Sequence, residues 1–154
     1  MKLLDRRGFT LVEGLTVMLI LGIVARIAIP QVQDVRVRAL AAQALGDFRV
    51  IEHAAQEYLA DNNQPPPDAD TGVVPAGLEI YLEGFTFKKP AYQLDWENWA
   101  LPGGLPKHPE TRVLLGVSIS IDSPVLGNAI VRLVGLNRAH YTLGNKYTFI
   151  LEAF

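Results

Sequence analysis

Among the first sixty residues, one side chain has no obvious structural use. Glu13 stands four residues into a run, 9–29, that is apolar or small apart from Thr10, Glu13, Thr16 and Arg26. A carboxylate among hydrocarbon costs on the order of 2.5 to 3.5 kcal/mol at the centre of a membrane helix and less near its end, so an acidic residue there is functional by default. A partner exists if the chain is cut between Gly8 and Phe9. The cut removes a charged leader and leaves a new α-amino group at Phe9, one helical turn from Glu13. A positive charge and a carboxylate then sit at the same depth and can pair within one chain or between copies.

Elsewhere, reactive residue types occur without the spacing their chemistry requires. His53, His108 and His140 are scattered, none at i,i+4 from another His or beside a Glu in a zinc-helix pattern, and are expected at the surface. Asp95 and Glu97 fall on one face of a predicted strand, which suits a cation or an acid/base pair but reads first as a solvated face. Gly103-Gly104 and Gly144-Asn145 lack the strand-to-helix setting of a phosphate loop. The absence of cysteine excludes a disulfide framework, a thiolate nucleophile and a Cys-based zinc site. No catalytic residue, metal or cofactor is expected, and the chain is not read as an enzyme.

The element that must position Glu13 is a membrane-length helix. As an α-helix, the 21 residues from 9 to 29 span about 32 Å, which matches a hydrocarbon core of roughly 30 Å. Lys2, Arg6 and Arg7 precede it with only Asp5 against them, so the N-terminus stays cytoplasmic and the rest faces the periplasm or the outside. A cleaved secretory signal fits poorly, because ending it at Ala28 would put Arg26 at the minus-three position. A plain anchor leaves Glu13 unexplained.

Taken together, Arg6-Arg7-Gly8-Phe9-Thr10-Leu11-Val12-Glu13 resembles the processing motif of type IV pilins and type II secretion pseudopilins: a short basic leader ending in Gly, an aromatic, Glu four residues on, then an apolar run. The resemblance extends to Gly22 and Pro30, where pilins carry helix-breaking residues flanking a stretch of helix that can unwind during assembly. It implies that a membrane prepilin peptidase cuts between Gly8 and Phe9 and methylates the Phe9 amino group. It also implies that Glu13 pairs with a neighbour's amino terminus. Gly14 is smaller than the residue usual there, and Arg26 puts a charge where pilins are apolar or small; near the outer end it can snorkel to headgroups before assembly. Major secretion pseudopilins bind calcium in a loop. Asp68, Asp70 and Glu79 are the acidic residues nearest to such a loop here, but without calcium-loop spacing their expected role is solubility.

After Pro30, Leu45, Phe48, Ile51, Ala55 and Tyr58 recur at helical spacing while Asp47, Arg49, Glu52 and Glu57 lie off the stripe, so the helix continues as an amphipathic half. The whole spine covers about fifty residues, roughly 75 to 80 Å, and should end within residues 59–62 ahead of Pro65-Pro66-Pro67. A surface loop follows to about Gly77. Strands are predicted around Phe85 and Phe87, through Tyr92, Leu94 and Trp96, through Val113, Leu115, Val117, Ile119 and Ile121, and through Tyr147, Phe149 and Leu151. Residues 101–109 are a turn-rich connection. Ser123 before Pro124 caps a short helix with Leu126, Ile130, Leu133 and Val134 inward, closed at Gly135. Trp96 and Trp99 face opposite sides of their strand, one in the core.

The expected fold is α+β, a long N-terminal helix against a small antiparallel sheet with one extra helix. The expected divisions are a leader at 1–8, a transmembrane and assembly segment at 9–30, an amphipathic half at 31–62 and a headgroup at 63–154. The implied role is a structural subunit of a type IV pilus-like or secretion pseudopilus filament, bitopic in the inner membrane before assembly. The implied partners are itself, other pilin-like subunits, the prepilin peptidase and an inner-membrane assembly platform. The missing cysteine pair tilts this toward a pseudopilin or minor pilin. With 14 Lys+Arg against 16 Asp+Glu the net charge is −2, and losing Lys2, Asp5, Arg6 and Arg7 takes it to about −4, which disfavours nucleic acid as a partner. The alternative is a membrane-anchored periplasmic binding or sensor domain with a ligand pocket between sheet and helix.

Overall fold

The computed structural model describes residues 9–134 and 138–153, with the side chain of Ala153 excepted. Helix α1 (Leu11–Asn62) begins directly after Thr10 and stays helical through Gly22 and Pro30. Proline has no N–H, so at Pro30 the carbonyl of Arg26 loses its usual donor four residues on. The end falls where expected. Asn63 takes a left-handed φ of 53°, its N–H bonds to the Leu59 carbonyl at 2.9 Å, and the prolines beyond cannot continue a helix.

The chain divides into two compact units, one ending at Arg36 and one beginning at Val37. In the first, the 13 large apolar side chains between Phe9 and Ile29 are 48–79% exposed, so none of the described residues covers them. The second has its own core. Ala41, Ala44, Phe48, Ile51, Ala54 and Ala55 are buried on the α1 stripe, with Leu45 and Tyr58 partly buried beside them. The observed stripe is the expected one extended toward the N-terminus by two small residues, Ala41 and Ala44, both fully buried.

That sheet has four strands, β1 (Gln93–Ala100), β2 (Val113–Ser120), β3 (His140–Leu143) and β4 (Lys146–Ala153), in the order β1-β2-β4-β3, all neighbours antiparallel. Trp96 lies opposite Val117 and Val117 opposite Phe149, so strand alternation puts Leu94, Trp96, Val117, Ile119, Tyr147 and Phe149 on one inner face. Phe149 meets Phe48 edge to face at 5.9 Å. Helix α2 (Pro124–Val134) starts with proline at its first position, and the Ser123 hydroxyl accepts from the Leu126 N–H at 3.4 Å. Leu126, Ile130 and Val134 are buried, but Leu133 is 45% exposed and off the inner face. The expected stop at Gly135 lies outside the described residues.

Three expectations need correction. No strand forms at Phe85 and Phe87: Gly84 is left-handed, Phe85 closes a turn onto Leu82, and Pro90 follows, leaving only an isolated bridge between Lys88 and Gln93. The sheet has a strand the hydrophobic pattern did not reveal, β3, whose four residues are all exposed. The segment after α1 is also more than a solvated loop. Its Pro66 carbonyl accepts from Trp96 Nε1 and Asn98 Nδ2, Asp68 accepts from the Asn98 N–H, and the Gly72 N–H reaches the Leu94 carbonyl at 2.8 Å, so it covers the free edge of β1.

Candidate functional site

At the N-terminal end, Thr10 and Glu13 form a reciprocal cap. Glu13 Oε2 accepts from the Thr10 N–H at 2.8 Å and from the Thr10 hydroxyl at 2.7 Å, while the Glu13 N–H donates to Thr10 Oγ1 at 3.2 Å. The spacing Thr-x-x-Glu is the capping-box signature and was readable in the sequence, but the residues drew attention for their membrane depth instead. The box holds the carboxylate at the helix start, folded back onto Thr10. The Phe9 ring lies beside Gly14, where a Cβ would stand 3.4 Å from Phe9 Cε1, at ordinary contact distance. Gly8 lies outside the described residues. Gly22, Arg26 and Pro30 are exposed on α1, and a Cβ at Gly22 would meet nothing within 4 Å. Magnitudes decide what the segment is for. Burying 13 such side chains is worth on the order of 20 kcal/mol or more, far beyond the cost of one carboxylate near a helix end.

The headgroup holds a polar cluster that the sequence reading misjudged. Asp95 and Glu97 are not solvated; both are buried, on the sheet face opposite Trp96. Lys146 lies between them, 2.8 Å from Asp95 Oδ2 and bonded to Glu97 Oε1. Thr71 donates to Asp95 Oδ2 at 2.6 Å, Ser118 donates to Glu97 Oε1 at 2.6 Å, and Thr148 stands 2.7 Å from Ser118. Burial pushes the Asp95 carboxyl above its ordinary range, against the opposing pull of Lys146 and Thr71. Burial alone would lower Lys146, but its bonds to the two carboxylates win and raise it. Asp95 Oδ1 is buried without a partner. The cluster joins β1, β2 and β4 to the 63–77 segment. The readable signal was Lys146 at a strand start on the face of two carboxylates; cross-strand register supplied the rest.

The other candidates separate. Among the described residues no group of three or more His, Cys, Asp or Glu is placed to hold a metal. His53 is exposed beside Glu57, His108 beside Glu110, and His140 lies on exposed β3. Asp68 caps the Asn98 N–H and Glu79 the Gly77 N–H, each used locally. Trp96 is fully buried and Trp99 is on the other face, 6.3 Å from Tyr141, as expected from strand alternation. A cleft of about 670 Å³ lies between α1, α2 and β4 in the headgroup; at its wall Arg138 bonds Glu52 at 2.6 Å and rests 5.1 Å above the Phe48 ring.

A bare apolar helix opened by a Thr-Glu box, followed by a stripe packed on a four-stranded sheet, defines a pilin-like protein. The family model described as the prokaryotic N-terminal methylation motif matches residues 4–28. The chain is 34% identical over 105 residues to type II secretion system core protein G of Pseudomonas aeruginosa, covering 68% of this chain and 66% of that protein. It is 36% identical to core protein G of Pectobacterium carotovorum, with 68% and 60% covered, and 36% identical over 59 residues to a fimbrial protein of Pseudomonas aeruginosa, with 38% of each covered. The chain thus spans 60–66% of the length of these two core proteins. No solved structure matches it. The chain belongs to the family of type IV pilins and type II secretion pseudopilins.

Proposed function

We propose that this chain is a filament subunit made as an inner-membrane precursor, with its N-terminus cytoplasmic and its headgroup outside. Residues 1–8 are the leader, 9–30 the membrane and assembly segment, 31–62 the amphipathic half of the spine and 63–154 the headgroup. Prepilin peptidase cuts between Gly8 and Phe9 and methylates Phe9. Glu13 then receives the amino group of a neighbouring copy. The assembly platform draws each subunit from the lipid, with the helix between Gly22 and Pro30 as the stretch that yields. The observation that carries this reading is the unburied apolar run, which opens with a carboxylate held by Thr10 at its membrane end. Similarity to core protein G over 68% of the chain, against 38% for the fimbrial protein, favours a secretion pseudopilus over an adhesive pilus.

The test is the intact and N-terminal peptide mass of the protein from its native membrane. A chain starting at methylated Phe9 is expected, and Gly8→Ala should accumulate as uncleaved precursor. Glu13→Ala should still be cleaved while losing filament yield. A wild-type chain retaining Met1, or starting after Ala28, overturns the proposal and returns attention to a membrane-anchored binding or sensor domain using the headgroup cleft.

A further inference from the structure

Charge is segregated within the headgroup unit. Between Arg49 and Lys88 the sequence holds seven acidic residues and no Lys or Arg. Three of them, Asp61, Glu79 and Glu83, gather at the end of α1, because Tyr81 stands between the two glutamates in sequence, donates to Asp61 at 2.8 Å and meets Tyr58 edge to face at 5.9 Å. Ile80 crowns this acidic knuckle and is 82% exposed, the most exposed large apolar side chain among the described residues. A basic patch lies elsewhere on the same unit. Arg49 of α1 and Leu133 of α2 stand on the walls of one cleft, Leu133 is solvent-exposed, and exposed Arg132 precedes it in the last turn of α2. Asp47, the acid of α1 nearest to Arg49 in sequence, is already engaged by Lys89 and Tyr92. Among the described residues, none of Arg49, Arg132, Asp61, Glu79 and Glu83 enters an ion pair.

We propose that the Asp61, Glu79, Ile80 and Glu83 knuckle of one copy docks on the Arg49, Arg132 and Leu133 patch of the next copy. This rests on the filament reading. The occupant is a second copy because one chain carries both halves of a complementary contact, an exposed apolar side chain among carboxylates and an exposed apolar side chain beside two guanidiniums. One copy cannot bring its own halves together. Asp61 is twelve residues beyond Arg49 on α1, about 18 Å along the axis and about 120° around it, so the patches sit at different levels and look to different sides. Joining unlike patches is a head-to-tail contact, which does not close and propagates as a filament. It sets the receiving copy outward along α1 by roughly that same 18 Å. All the residues involved lie beyond Val37, in the second compact unit, so the contact is independent of the stretch between Gly22 and Pro30.

The chain has no cysteine, so full-length Ile80→Cys and Leu133→Cys copies can be expressed together in the native membrane, where a disulfide between the two substituted positions joins two copies. Oxidation should give a cross-linked dimer from the mixture and none from either variant alone. Val125→Cys, exposed at the other end of α2, should not cross-link to Ile80→Cys. Arg49→Glu and Glu83→Arg should each lower filament yield by about tenfold, since a reversed charge then faces its like at every repeat of the contact, and the double swap should recover most of it. Both side chains are exposed, so thermal melting of the headgroup should stay unchanged, which separates assembly from folding. If wild type assembles but the Ile80 and Leu133 mixture cross-links no more than the Val125 control, or the double swap assembles no better than either single change, the docking is overturned while the filament reading stands. If wild type keeps residues 1–8 and makes no filament, the filament reading falls and this docking with it.

Discussion

Replacing Lys146 by Met removes the cation that, among the described residues, bonds both buried carboxylates, while keeping an unbranched side chain of similar length. Asp95 is 3% and Glu97 8% exposed, so neither can be rehydrated without opening the sheet face, and Asp95 Oδ1 already lacks a partner. Breaking a buried ion pair from one side costs about 3–5 kcal/mol; Lys146 itself is 31% exposed, which screens the pair and places the expected loss near the lower figure, about 3 kcal/mol. For a chain of this size that is a fall of roughly 6–12 °C in Tm. The measurement is urea unfolding of the detergent-purified full chain, followed by the fluorescence of Trp96 and Trp99 on the two faces of β1. The pH dependence gives a second reading. Without Lys146, burial holds the Asp95 carboxyl above its unfolded value with less to oppose it, so between the two the folded protein binds more protons and the loss shrinks as pH falls through the folded value. Adding Asp95→Asn should recover part of the loss. A loss under about 1 kcal/mol at pH 7, or one that does not shrink by pH 5, refutes the argument.

In wild type the raised Lys146 pKa means its contribution is fully present below the ordinary lysine range and disappears as pH rises through the folded value, so a titration should show stability falling at the alkaline end and Lys146→Met lacking that fall. Two glycines in helices should respond in opposite directions. Gly127→Ala would place a Cβ 2.2 Å from the Tyr147 ring and should cost about 1–3 kcal/mol by displacing it, whereas Gly46→Ala meets nothing within 4 Å and should gain about 0.5–1 kcal/mol. Equal responses in thermal melts would contradict the packing described for α2. Phe48→Ala should cost about 3–5 kcal/mol, since it removes a fully buried ring from Phe149 and from beneath Arg138.

Legibility in the sequence followed the range of the physics involved. The apolar run, the Thr10 to Glu13 spacing, the end of α1 and the Ser123-Pro124 helix start are local, and each could be read from neighbours a few residues apart. The α1 stripe was also readable, but its extension to Ala41 and Ala44 was not, because alanine is found on buried and exposed helix faces alike and only the packing around it decides which. The strand expected at Phe85 and Phe87 failed because alternation over three residues is weak evidence beside Gly84 and Pro90. Strand β3 was missed because an exposed edge strand has little hydrophobic pattern, although the two-residue Gly144-Asn145 connection signalled a hairpin.

What the sequence by itself determined is the class of protein, since an apolar helix of membrane length and the N-terminal methylation motif are properties of consecutive residues. Tertiary structure decided the fate of Asp95 and Glu97. Alone on their strand they alternate like a solvated face. They become a buried cluster because register sets Ser118 opposite Asp95 and Thr148 opposite Ser118, while the chain brings Lys146 and Thr71 from 51 and 24 residues away. Whether a carboxylate meets water or a cation is settled by what packs against it, and that information lies in no local stretch of the chain.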